Sequence, residues 1–166
     1  MENSTDTAKQ WRAEVILLEP EIPQNTGSIG RTCAALGCHL HLIEPLGFSL
    51  EDKYRRRAGL DYWHLLKFTR HPNLESFFQN HQDGVYWFMS KKATRFYHEA
   101  DFRFPGPVYL VFGKETVGLP ESLLTQYPDR CLRIPIRKEA RSLNLSNAVA
   151  LTLFEAHRQN NFPGLL

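Results

Sequence analysis

A chain of 166 residues with 42% apolar side chains is long enough for one domain with its own core and too short for two comfortable ones. Lys and Arg total 20 against 18 Asp and Glu, a formal +2, which excludes a strongly basic body and leaves any nucleic-acid contact to a local basic patch. Cys33, Cys38 and Cys131 form no C-x-x-C pair and follow no secretion signal, and no apolar run approaches the roughly 20 residues of a membrane helix. The expected protein is soluble and cytoplasmic, with buried thiols rather than disulfides and with no membrane contact.

The opening MENSTDTAKQWR is polar, so residues 1–13 are read as a flexible extension and 14–166 as a single domain. Apolar runs suited to strands recur at Val15–Leu18, Leu40–Ile43, Leu66–Phe68, Val85–Met89, Val108–Phe112 and Leu132–Ile136, separated by helical periodicity or turn chemistry. The alternation predicts an α/β fold, a mostly parallel sheet flanked by helices. A first helix is expected to start near Asn25 as its cap and to stop at Gly37, with Ile29, Cys33 and Leu36 facing inward and Arg31 facing away.

Between the second and third predicted strands, Lys53-Tyr54-Arg55-Arg56-Arg57 sets Lys53, Arg56 and Arg57 on one helical side, with Tyr54, Tyr62 and Trp63 near enough to stack on bases. A run of this kind reads either as a solvated face or as an RNA contact. His39 and His41 would share one face of a strand, but no third ligand stands nearby in sequence, so they are read as a surface pair and no metal site is expected. Gly113-Lys114-Glu115-Thr116 lacks the upstream glycine of a phosphate loop, and Gly27-Ser28-Ile29-Gly30 lacks the spacing of a dinucleotide fingerprint.

Three loops follow predicted strands: 89–91, 112–120 and 134–147. Ligands of open α/β sheets bind at such carboxyl ends. The third loop runs into R-S-L-N-L-S-N-A-V-A-L, where Ser142, Asn144, Ser146 and Asn147 crowd the start of the most apolar helix. Capping needs one or two of these, so the surplus points to a site. Leu145, Ala148, Val149, Thr152, Leu153 and Ala156 form a full inward stripe, while Leu151 and Phe154 are apolar on another side. That second face predicts a homodimer through this carboxyl-terminal helix, the other reading being cover by a loop of the same chain.

Taken together, E-P-E-I-P-Q-N-T-G at 19–27 with Arg31, L-H-L-I-E-P-L-G-F at 40–48, the run from Asp52 to Tyr62, F-G-K-E-T-V-G-L-P at 112–120 and the stretch from Arg133 through S-L-N-L-S-N-A resemble the TrmH-type SPOUT RNA methyltransferases. Within them the match is closest to the tRNA (cytidine/uridine) 2′-O-methyltransferases of the wobble nucleotide. Ser28, Lys114 and Phe154 stand where relatives commonly carry Asn, Pro and Tyr. The resemblance implies a carboxyl-terminal trefoil knot and S-adenosyl-L-methionine bound there without metal, at Met89, Gly113, Ile134, Ser142 and Leu143. It also implies tRNA as partner, with Arg31 catalytic and Lys53, Arg55, Arg56 and Asn25 on the RNA. The loops do not encode the target. Methylation of another RNA such as rRNA, or a non-catalytic RNA-binding or ribosome-assembly role, therefore stays open at this point.

Overall fold

The computed structural model describes residues 10–50 and 62–166. Along them run β1 (Arg12–Leu18), α1 (Pro23–Leu36), β2 (His39–Ile43), a 3-10 turn at Trp63–Leu65, β3 (Lys67–His71), α2 (Leu74–Asn80), β4 (Val85–Met89), β5 (Pro107–Phe112), α3 (Glu121–Gln126), β6 (Cys131–Leu132) and α4 (Leu145–Gln159). All strand pairings are parallel, in the spatial order β3-β2-β1-β5-β4-β6. The basic run containing Lys53, Arg55 and Arg56 lies outside the described residues.

Central β1 and β5 read as unbroken apolar runs because helices cover both faces of the sheet. Val15 and Leu17 pack in one cluster with Ile29 and Cys33 of α1 and Val149 and Leu153 of α4. Ile16, Leu18 and Val111 pack in the other, with Phe77 of α2 and Leu123 of α3. Val149 and Leu153 are at 0% exposure, and burial contributes roughly 1.5–3 kcal/mol for each. Cys33, Cys38 and Cys131 are all buried free thiols.

β4 spans the predicted residues, while the other boundaries move for identifiable reasons. β1 starts at Arg12, inside the expected extension, because its first residues pair with Pro107 and Val108 of β5. The first helix starts at Pro23, with Ile22 as its cap residue and Asn25 inside the first turn. Proline pre-sets the first helical φ, and a cap side chain at position 25 is not needed. Gly37, at φ 67, ends α1 with its N–H on Ala34, as expected of a left-handed terminus. β6 stops after Leu132, and the chain then leaves the sheet by a single bridge between Phe96 and Arg133, which frees Ile134 from strand pairing.

The reading of His39 and His41 as a surface pair needs correction. They do share a face, their rings stacked at 4.1 Å. His41, however, is 1% exposed. The parallel register of β1 and β2 sets Glu14 opposite His39, and the His41 Nε2 lies 2.6 Å from Glu14 Oε2. Strand pairing supplies the third group that sequence proximity did not.

In α4 Val149, Thr152, Leu153 and Ala156 of the inward stripe are buried and Leu145 and Ala148 partly so, whereas Leu151 and Phe154 are 44% and 47% exposed. No loop among the described residues covers them.

Candidate active site

The three loops after β4, β5 and β6 converge. Together they line a cavity of about 670 Å³ whose wall includes Met89, Gly113, Ile134, Ser142 and Leu143. The volume falls in the range of small-molecule and cofactor pockets. Ile22, Val117 and Leu143 carry exposed apolar side chains at this cavity, which gives a flat organic ligand apolar surface to cover.

The loop after β5 is a tight reversal. Gly118, at φ 72, donates its N–H to the Lys114 carbonyl at 2.9 Å, and the reversal folds Gly118 and Leu119 back onto Gly113. A Cβ at position 113 would lie 2.1 Å from the Gly118 carbonyl carbon and 2.2 Å from the Leu119 nitrogen. Only glycine fits there, and its bare backbone is part of the cavity wall. Lys114 points aside into an ion pair with Glu19 at 2.6 Å, a hydrogen bond that raises the pKa of its ammonium. Glu19 itself sits at φ 49, a left-handed conformation unusual for glutamate.

A hydrogen-bonded brace ties the loop to the two helices that enter the site. The Glu115 carboxylate accepts the N–H groups of Glu21 and Ile22 at 2.8 and 3.0 Å and the Asn25 amide at 3.4 Å. In return, Glu21 accepts from the Thr116 N–H and hydroxyl. Asn25 Oδ1 then accepts from Asn144 Nδ2 at 3.0 Å, and Asn144 caps α4 by accepting from the Ser146 N–H at 2.9 Å. Asn144 thus does two jobs, capping one helix and holding another, while Ser142 lines the cavity. Among the described residues, the buried Nε of Arg133 in the same wall has no hydrogen-bond partner. An orphaned donor, an apolar rim and a glycine cradle together fit a polar, flat cofactor.

The sequence model of the SpoU rRNA Methylase family matches residues 12–154. The chain belongs to the SpoU methylase family. The tRNA (cytidine(34)-2′-O)-methyltransferase of Saccharophagus degradans is 49% identical over 151 residues, 90% of this chain and 97% of that protein; its counterpart from Escherichia coli is 43% identical over 151 residues, 90% and 95% of the two chains. Among solved SpoU methylase-like structures, one described for 2-OH methylation of C/U34 on tRNA is 40% identical with TM-score 0.81 and covers 92% of this chain and 97% of its own. AviRb from Streptomyces viridochromogenes, crystallised with AdoMet, is 27% identical with TM-score 0.73, over 92% of this chain and 59% of that one.

In this SpoU methylase, all five residues expected at the cofactor lie on one cavity. Asn25, expected on the RNA, lines that cavity too and is 7% exposed, because the brace draws it inward. Arg31 is not in the wall. It stands exposed on α1, six residues beyond Asn25 and so about 9 Å further along the helix. Its guanidinium lies 5.7 Å from the ring centroid of Tyr62, whose hydroxyl donates to the Gly27 carbonyl at 3.2 Å. Sequence reading missed the partnership of Glu21 with Glu115 and the role of Asn144 on Asn25. The only trace of either was the pair of motifs E-P-E-I-P and G-K-E-T, which carry complementary donors and acceptors. Lys91, exposed in the first of the three predicted loops, reaches the Arg141 carbonyl with its ammonium at 3.5 Å beside the cavity.

Proposed function

We propose that this chain methylates the ribose 2′-hydroxyl of the wobble nucleotide, cytidine or uridine, in tRNA, with S-adenosyl-L-methionine as donor. The observation that carries the proposal is the convergence of Met89, Gly113, Ile134, Ser142 and Leu143 on one cavity at the carboxyl ends of β4 and β5. The names of relatives that match nearly end to end support the choice of target.

When bound, the cofactor supplies a methyl group already activated by its sulfonium, and the transfer requires no metal. What remains for the protein is positioning and charge stabilisation. The backbone around Gly113 and Ile134 and the polar groups of Ser142 would hold the donor, while Leu143 covers it. Lys53, Arg55 and Arg56 would neutralise phosphates, and Asn25 would act as a positioning residue through Asn144. Arg31 is exposed, its guanidinium 5.7 Å from the Tyr62 ring centroid, and so is accessible to an RNA chain from solvent. A guanidinium offers donors and no acceptor, so its role is to bind a phosphate and stabilise the negative charge developing on the 2′-oxygen. The departing proton then goes to water or to that phosphate.

The same reading includes a carboxyl-terminal trefoil knot, a homodimer through α4 and action in the cytoplasm. Exposed Leu151 and Phe154 support the dimer. Among the described residues no helix is long and apolar enough to cross a membrane. Mass spectrometry of tRNA nucleosides from cells lacking the protein tests the function. Loss of 2′-O-methylation at the wobble position, restored by the wild-type chain, is expected; unchanged wobble methylation overturns it.

A further inference from the structure

The carboxyl ends of the strands carry the proposed cofactor cavity, whereas the amino ends of β1 and β2 hold ring nitrogens and a carboxylate where apolar side chains would be expected. Glu14 on β1 and His41 on β2 are 5% and 1% exposed. One ligand atom each from Glu14, His39 and His41 lie within 4.8 Å of one another. Around His41 the rings of His39, His71 and His81 stand at centroid separations of 4.1, 5.1 and 5.4 Å. Four of the seven histidines in the chain therefore meet at one place, contributed by β2, β3 and the turn after α2.

We propose that Glu14, His39 and His41 form a binding site for a divalent transition-metal ion of the zinc class, with His81 or a water molecule completing the coordination. Two imidazoles and a carboxylate are a donor set that Zn²⁺ and its neighbours favour over Mg²⁺ or Ca²⁺. A tetrahedral ion with bonds near 2.1 Å needs ligand atoms about 3.4 Å apart, so His41 Nε2 and Glu14 Oε2 must separate from 2.6 Å and the third donor must come to the same spacing from within 4.8 Å.

Hydrogen bonds engage the second nitrogen of these rings, although the stacked rings of His39 and His41 must rotate to point at one ion. Metal-bound histidines hold their second ring nitrogen in a hydrogen bond. Here His39 Nε2 pairs with the Thr69 hydroxyl at 2.8 Å, which leaves Nδ1 for an ion. His81 Nδ1 lies 2.8 Å from the Phe77 carbonyl; a carbonyl only accepts, so this nitrogen carries the proton and Nε2 keeps its lone pair. His41 Nδ1 lies 3.0 Å from His71 Nε2. A cation would replace the proton now shared by His41 Nε2 and Glu14 Oε2, with the His41 proton then on Nδ1 toward His71. Arg12 Nε holds the other Glu14 oxygen at 2.6 Å.

An entry path exists. Glu14, His39, His41 and His81 open on a surface cavity of about 790 Å³. It shares no lining residue with the cofactor cavity, so an ion bound there would tie β1, β2 and the turn after α2 together without touching the methyl-transfer chemistry. The inference does not depend on the proposed RNA substrate.

Co²⁺ titration of the untagged, EDTA-stripped full chain tests the site. The expected result is a visible d–d absorption that saturates at a single equivalent per chain and is displaced by Zn²⁺. His39→Gln removes one half-buried ligand with little threat to the core and should weaken Co²⁺ by tenfold or more, on the scale of losses at metal shells. Zn²⁺ should raise the melting temperature of the wild type and not that of His39→Gln. Absence of the absorption in wild-type protein with native circular dichroism overturns the proposal, as does undiminished Co²⁺ affinity in His39→Gln.

Discussion

Arg31 holds its guanidinium on the solvent side of α1 over the Tyr62 ring, outside the wall shared by Met89, Gly113, Ile134, Ser142 and Leu143. On the proposed function, that separation predicts that Arg31 acts in turnover rather than in cofactor binding. Arg31→Ala should leave the calorimetric affinity for S-adenosylmethionine nearly unchanged and lower single-turnover methylation on the order of 10²–10³-fold, the usual cost of one transition-state charge contact. Arg31→Lys should recover little, since one ammonium cannot reproduce a planar fork able to touch a phosphate and an alkoxide together. As a charge clamp, Arg31 predicts one pH–rate profile for wild type and Arg31→Lys, displaced downward in the variant. A profile that climbs with pH in the wild type alone would instead make it a base. Equal rates in wild type and Arg31→Ala would remove it from the mechanism.

Among the elements, the reversal between β5 and α3 tolerates least. Gly113→Ala places a carbon against the backbone of Gly118 and Leu119 at 2.1 and 2.2 Å, and no side-chain rotation relieves a backbone clash. The loop must open, and the brace from Glu115 to Glu21, Ile22 and Asn25 opens with it. Gly113→Ala should therefore lose S-adenosylmethionine binding in calorimetry and shift the urea midpoint downward; native affinity would show that the loop backbone is not the cradle. The same brace explains what the sequence could and could not show. β4 was legible to the residue, because a strand covered on both faces carries its own apolar signal from Val85 to Met89. The start of α1 was not, since the Glu115 carboxylate that holds the residues before Pro23 stands 93 positions from Ile22. His39 with Glu14 failed for the same cause: register between strands, not spacing along one, made the contact. The three loops that line the cavity were placed by the strands they follow, yet the predicted run to Ile136 overshot the stop of β6 at Leu132, although Pro135 in that run cannot donate to a strand ladder.

At the scale of the whole molecule, α4 has two apolar faces and the sheet covers one. Val149 and Leu153 are at 0% exposure against α1 and β1, whereas Leu151 and Phe154, a helical turn apart, are 44% and 47% exposed. With Tyr97, Ala150 and Phe162, and with the ion-paired Glu155 and Arg158 at its side, they line one shallow, mostly apolar depression. A single exposed leucine needs no explanation, but a contiguous patch on the best-anchored helix does. In the proposed homodimer a second copy of the chain would meet it with the same patch about a two-fold axis, the geometry of most homo-oligomers. Leu151→Glu with Phe154→Glu discriminates between interface and core. In an isolated chain both positions face water, so the double variant should keep its circular dichroism and lose little stability. Across an interface, each carboxylate would be stripped of water opposite an apolar neighbour, at a cost of several kcal/mol. Sedimentation equilibrium should accordingly report a dimer for the wild type and a folded monomer for the double variant. A folded dimer after both changes would move the interface away from α4, and an unfolded chain would mean that these side chains serve the core of their own protomer.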